Sequence, residues 1–261
     1  MRASAHLPAP LRMTSRETTS FLPLAHADGW QDELNRTIVE TLKTVGFALI
    51  QWPWLLRSLS GGSKAAKAAL IADLGLAPDA LPNLGSWKAD TGYLSLIVDH
   101  IKAAQPRSVV ELGAGASSLV TAKALQLHGG GRLTSLDQHA GFVRATLDWL
   151  HEHGVDAALH AVPLRRSPRD WEGVWYDTSP VPDTIDLLLI DGPPWSIHPF
   201  VRGAAETLFD RIPLGGTILL DDAARPGERV IAARWRRRWP NFRFELVNRG
   251  TKGTLIGTRL R

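Results

Sequence analysis

Acidic residues follow short apolar runs at four places in this chain, and each stands where a strand of a parallel sheet would end. The first is Glu111 in VVELGAGASS, Val109–Ser118, with Gly113, Ala114 and Gly115 behind it. Glycines in such a turn let the backbone approach a ligand closely, and the helix that opens at the small residues presents free N–H groups. The second is Asp137 in LTSLDQHAGF, at the end of the next apolar run. A carboxylate there can accept both hydroxyls of a ribose; taken singly it reads equally as a strand-end or helix-capping acid. The third is Asp191 in IDLLLIDGPPW, the acid expected in a reaction centre, because open α/β sheets bind ligands at the carboxyl ends of their strands. The fourth is the pair Asp221 and Asp222 in LGGTILLDDAAR.

Three carboxylates meeting at one edge (Asp191, Asp221 and Asp222) repel one another unless a cation, protonation or Arg225 neutralises them. Mg²⁺ is a reasonable candidate. In the competing reading Asp222 caps the following helix, while backbone N–H groups or Arg225 hold Asp221.

The elements that must position these groups follow from hydrophobic periodicity. After Gly92 short apolar runs alternate with longer helical segments, the signature of βαβ units and a parallel sheet. Seven strands are expected at Ser108–Leu112, Arg132–Leu136, Ala158–Val162, Ile185–Ile190, Thr217–Leu220, Phe242–Val247 and Thr254–Thr258. Helices are expected at Tyr93–Ala104, Ser117–His128, Gly141–His153, Pro199–Arg211 and Gly227–Trp239. Only Asn248–Gly253 separates the last two strands, too short for a helical crossover, so they should pair antiparallel as a hairpin. Upstream, Leu34, Ile38, Leu42 and Val45 recur at helical spacing, giving one amphipathic helix from Trp30 to about Leu59, a turn at Gly61-Gly62 and a second helix over Lys64–Leu74. The expected organisation is a flexible lead-in over 1–28, a helical extension over 29–88 and the α/β domain over 89–261.

Composition narrows the function classes. A chain of 261 residues with 44% hydrophobic content can bury a sizeable core. No cysteine means no disulfide framework, thiolate metal site or cysteine nucleophile, and suits a reducing cytoplasm. The net charge of +4 is concentrated in Arg234, Arg236, Arg237 and Arg238, a run that reads as a solvated helix face, so no nucleic-acid partner is expected. The first 28 residues lack an apolar signal core. Val45–Leu56 is the longest apolar stretch; Gln51 and Pro53 interrupt it and it is too short for a membrane span, so a soluble protein is expected, with peripheral membrane contact through this segment left open. Nothing specifies an oligomeric state.

The order ELGAGASS, LDQH, IDGPP, GGTILLDD resembles class I S-adenosylmethionine-dependent methyltransferases over roughly residues 90–260, and most of all the bacterial members of the broad catechol O-methyltransferase-like group. The resemblance implies a Rossmann-like, mostly parallel seven-stranded α/β sheet ending in an antiparallel hairpin, behind the helical N-terminal extension. It implies cofactor contacts from Glu111, Gly113, Ala114, Gly115, Ser117, Asp137, Gln138 and Asp191, and a divalent metal such as Mg²⁺ on Asp191, Asp221 and Asp222. Removal of an acceptor proton falls to Asp191 or to His198 in PPWSIHPF; a single loop histidine is also commonly structural. Arg202 and Arg225 read either as anchors for an anionic acceptor or as surface arginines. An aromatic wall for the acceptor is available in Trp171, Trp175, Tyr176 and Trp195, residues that equally fill cores.

The expected reaction is methyl transfer from S-adenosylmethionine to a hydroxyl of a small molecule or a glycan precursor. Amino-group methylation is the alternative: DGPPW is similar to the [Asp/Asn]-Pro-Pro-aromatic motif, but Gly192 displaces the acid by one residue. A non-catalytic module on the same fold is another, against which stand four intact motifs. An NAD(P)-dependent oxidoreductase would share the glycine turn and Asp137. It lacks support from Ser118, which stands where the third glycine belongs, and from Tyr93 and Tyr176, neither of which has a lysine four residues on.

Overall fold

A computed structural model describes residues 38–168 and 170–261. The expected lead-in over 1–28 and the first residues of the expected helix from Trp30 lie outside the described residues. The elements are α1 (Ile38–Ser58), α2 (Lys64–Asp73), α3 (Thr91–Ala104), β1 (Ser108–Leu112), α4 (Ala116–His128), β2 (Arg132–Asp137), α5 (Ala140–Glu152), β3 (Ala158–Ala161), β4 (Leu164–Arg166), β5 (Val174–Tyr176) and β6 (Leu187–Ile190). A 3₁₀ segment (Val201–Arg211), β7 (Thr217–Leu220), α6 (Pro226–Arg238), β8 (Phe242–Val247) and β9 (Thr254–Arg259) follow.

The main sheet has the order β3-β2-β1-β6-β7-β9-β8. β3, β2, β1, β6 and β7 run parallel, while β9 pairs antiparallel with both β7 and β8. The strand order reverses between β1 and β6, which creates the crevice where open sheets bind ligands. β6 and β7 are buried at every position, consistent with continuous apolar runs in strands covered on both faces. One core packs the 3₁₀ segment and α6 on one face, around Phe209 and Trp235, and the other packs α3 and α4, around Tyr93, Ile97 and Leu119.

Two differences from the expected elements have physical causes. Pro199–Arg211 was expected as a helix, and it forms from Val201 as tight 3₁₀ turns that bring Arg202 inward. The small antiparallel pair of β4 and β5 was not expected, because three-residue strands carry too little periodicity to register. The arginine run of α6 is not simply solvated. Arg234 lies 4.0 Å over the Trp171 ring, and Arg238 pairs with Asp170 and, at 2.6 Å, with the buried Glu206. In α1, Leu42, Leu49 and Leu56 are exposed, so its apolar stripe is uncovered among the described residues. No helix among those residues is long and apolar enough to cross a membrane.

Candidate active site

β1 ends in Glu111 and Leu112, and the chain then turns at Gly113, whose N–H donates to Leu136 O at 2.8 Å. Gly113 has φ +97, and a Cβ there would meet Gly192 N at 2.7 Å. Gly113, directly after β1, and Gly192, two residues after β6, therefore touch backbone to backbone, and only glycine fits on the β1 side. Above Gly115 the space is open: a Cβ would find only Phe142 Cζ, at 3.8 Å.

Glu111 is fully buried beneath this turn. Its Oε2 accepts from Ser118 Oγ at 2.5 Å and Ser135 Oγ at 2.6 Å, whereas Oε1 is buried without a partner. Burial raises its pKa to about 7 against the opposing serine hydroxyls. Asp137, at the end of β2, accepts from His139 N at 2.8 Å through Oδ1 and from Ala114 N at 3.2 Å through Oδ2. Burial lifts its pKa to about 7 too, partly offset by those N–H groups. Each carboxylate oxygen retains a second lone pair. Gln138 accepts from Tyr176 Oη at 3.0 Å, which fixes its amide beside the turn. An open space over Gly115, an unpartnered acceptor below it and a carboxylate at its rim fit an adenosyl-amino-acid cofactor; Glu111, Gly113, Ala114, Gly115, Ser117, Asp137 and Gln138 would hold it.

At the ends of β6 and β7 the structure brings Asp191, Asp221 and Asp222 together, with one oxygen from each within 4.8 Å of the others. Three cationic side chains already occupy this cluster. Arg202 Nη2 lies 3.1 Å from Asp191 Oδ1, and Arg202 Nη1 lies 3.1 Å from Asp222 Oδ2. Arg225 Nη2 lies 3.0 Å from Asp222 Oδ2. Lys252 Nζ lies 3.4 Å from Asp222 Oδ1 and 3.5 Å from Asp221 Oδ2. Arg225 also pairs with Glu228 at 2.5 Å, so four carboxylates face three cations. Burial would raise Asp222, but Arg225, Lys252 and Arg202 outweigh it and hold its pKa below the ordinary value. Burial raises Asp191 despite Arg202 and Lys252. A divalent ion about 4 Å from one of these cations would meet a repulsion of about 8 kcal/mol at an effective dielectric near 20. The donor set does not fit Mg²⁺ while the Lys252 ammonium stands between Asp221 and Asp222.

Several expectations change here. Arg225, not Asp222, is the N-cap of α6, and Asp222 (φ +59) directs its carboxylate to the three cations. Arg202 and Arg225 are neither surface arginines nor free for an acceptor. Both are buried, and Arg202 donates to the carbonyls of Asp191, Pro193 (3.3 Å) and Asp221 (3.3 Å) as well as to two carboxylates. His198 is not brought to the carboxylate cluster. It is buried against Gly173 and Phe200, with Nε2 3.2 Å from Glu172 Oε2, and its Nδ1 accepts from Phe200 N. Trp171 and Trp175 are core, and Trp171 Nε1 donates to Glu206 at 2.8 Å. Trp195 instead stacks on Trp87 with ring centres 6.4 Å apart, both half-buried.

Lys252 is the residue that inspection of the sequence missed. A signal existed: β9 runs antiparallel to β7, with Leu255 opposite Leu220, so the turn before β9 must close over the carboxyl edge where β7 delivers its acids. A lysine in that turn has carboxylates within reach.

Residues 110–223 match a family model described as a methyltransferase domain. No curated protein matches the sequence significantly. Among solved structures, the methyltransferase PaMTH1 of Podospora anserina, bound to SAH, is 13% identical; the alignment covers 87% of this chain and 98% of that one, with a TM-score of 0.54. The cofactor-bound Rv0187 from MTB is 18% identical, over 75% of this chain and 89% of that one, with a TM-score of 0.50. At such identities the likeness establishes the fold.

Proposed function

Starting from a methyltransferase domain over residues 110–223, we propose that this S-adenosylmethionine-dependent methyltransferase delivers its methyl group to an acceptor hydroxyl. Bound in the crevice between β1 and β6, the cofactor supplies an electrophilic methyl carbon on its sulfonium. The chain's own work is to hold both partners in line and to take the acceptor's proton. Asp137 is set to accept ribose hydroxyls, and the Gly113–Gly115 turn accommodates close approach. Asp191 is the carboxylate assigned to proton removal: its side chain is 13% exposed, against 6% for Asp222 and 0% for Asp221. The raised pKa of Asp191 suits a proton acceptor. His198, tied to Glu172, is left without a part in that step.

The observation that carries the choice of a hydroxyl is the setting of Arg202. Its guanidinium engages the carbonyl oxygens of Asp191 and Pro193, the backbone acceptors in DGPPW that a planar amino group would need. An incoming amine would have to share both carbonyls with Arg202, whereas a hydroxyl needs a single acceptor, the Asp191 carboxylate. The half-buried Trp87–Trp195 stack, four residues beyond Asp191, offers a planar apolar face to a phenol or to the ring of a sugar. We place the enzyme in a reducing compartment such as the cytoplasm, which suits a chain with no cysteine.

The test is methyl transfer from labelled S-adenosylmethionine to matched sets of phenols, glycosides and amines. Hydroxyl acceptors should turn over, and Asp191→Asn should lower kcat by roughly 10² to 10⁴-fold in protein still saturated with cofactor. Turnover confined to amines would overthrow the assignment.

A further inference from the structure

The acidic cluster is the part of this site where the expected chemistry and the side chains disagree. A turn between β8 and β9 carries Lys252 into it, and the lysine side chain is 1% exposed. Its ammonium lies between Asp221 Oδ2 and Asp222 Oδ1, at 3.5 and 3.4 Å, and also donates to Lys88 O at 2.9 Å. The position is not incidental. Asp90, the N-cap of α3, accepts from Tyr93 N at 2.8 Å and, from the turn, accepts Thr251 N, Thr251 Oγ1 at 2.9 Å and Lys252 N at 3.1 Å. A buried carboxylate thus fixes the lysine backbone to the start of a core helix. Gly92 lets the two approach, since a Cβ there would meet Arg249 O at 2.5 Å.

We propose that the Lys252 ammonium stands in place of a divalent ion among Asp191, Asp221 and Asp222, so that this reaction centre works without metal and accepts one only when the lysine is removed. Two observations beside the carboxylates carry this. The ammonium, with Arg202 and Arg225, supplies the counter-charge that a metal would otherwise bring. Asp221 Oδ1 is fully buried and has no hydrogen-bond partner, so one acceptor in the cluster remains open. Once the ammonium is gone, both Asp221 carboxylate oxygens and Asp222 Oδ1, none of them paired with Arg202 or Arg225, form an oxygen donor set of the kind Mg²⁺ and Mn²⁺ select. The proposal is independent of which acceptor is methylated.

The experiment is Mn²⁺ titration of the full chain, read by electron paramagnetic resonance of free Mn²⁺ and by the shift in melting temperature, for the wild type and Lys252→Met. Wild-type protein should take up no Mn²⁺ at this cluster, and its melting should be indifferent to Mn²⁺ and EDTA. Lys252→Met should bind one Mn²⁺ per chain, tighter than wild type by roughly tenfold or more, and should melt higher in its presence. If Lys252→Met does not fold, as judged by circular dichroism, Lys252→Gln retains a donor for the Lys88 carbonyl and takes its place. One Mn²⁺ bound by the wild type and lost in Asp221→Asn would overturn the proposal, as would a folded lysine variant with no more affinity than wild type. Metal uptake is read without turnover, so this outcome stands apart from that of the acceptor assay.

Discussion

Glu111 and Asp137 lie under and beside the glycine turn with their carboxyl groups out of water, and this has a consequence for pH. Burial raises Glu111 from 4.5 to about 7 and Asp137 from 3.8 to about 7. A carboxyl whose folded pKa exceeds its unfolded one favours the folded state while protonated. That contribution is complete below the unfolded pKa and is lost as pH rises through about 7. At about 1.4 kcal/mol per unit, the share of Glu111 is about 3 kcal/mol. The cofactor-free protein should therefore lose stability between about pH 5 and pH 8, and Glu111→Gln, which does not ionise, should reduce that loss by about 3 kcal/mol in urea unfolding. An identical pH slope for variant and wild type would show that Glu111 is not desolvated as described. The acids themselves were legible in the sequence, because each ends an apolar run. Their partners were not. Arg202 reads as a surface arginine until the 3₁₀ segment turns it inward, and Lys252 reads as part of a link until the antiparallel pairing of β9 is known.

The elements were legible where periodicity is long. β1, β7 and β8 fall where the apolar runs place them, and α3 to α6 begin and end within two residues of their expected bounds. β4 and β5 escaped because three residues give no pattern, and Pro199–Arg211 misled because a 3₁₀ run presents the same apolar composition as a helix. How the elements meet depends on single backbone contacts that periodicity does not encode. The Gly113–Gly192 contact joins the first turn after β1 to the first turn after β6, under the cofactor crevice. Gly113→Ala would force a Cβ to within 2.9 Å of Gly192 Cα at a backbone φ of +97. The expected cost is on the order of 2–4 kcal/mol from strain and overpacking together. Thermal melting should fall and cofactor affinity should drop, whereas Gly154→Ala, with open space around its Cβ and φ +65, should cost only about 1 kcal/mol. Equal effects from the two substitutions would contradict the close approach.

For the molecule as a whole, sheet order rather than any one residue decides what the chain can do. The reversal between β1 and β6 sets Glu111, Asp137 and Asp191 around one crevice, and the inserted β9 closes the acidic end of that crevice with a lysine. The parallel sheet and its terminal hairpin were legible from alternation and link length; the order of the strands was not, because it depends on contacts between elements distant in sequence. Central to the account is a cofactor site for S-adenosylmethionine, with Asp137 at its rim. It is tested most directly by calorimetric titration of the purified protein with S-adenosylhomocysteine in EDTA, beside Asp137→Ala and a parallel titration with NADH. The predicted result is a dissociation constant on the order of micromolar, weakened roughly tenfold or more in Asp137→Ala, with no heat from NADH. Absence of S-adenosylhomocysteine binding, or binding of NADH in its place, would contradict the account.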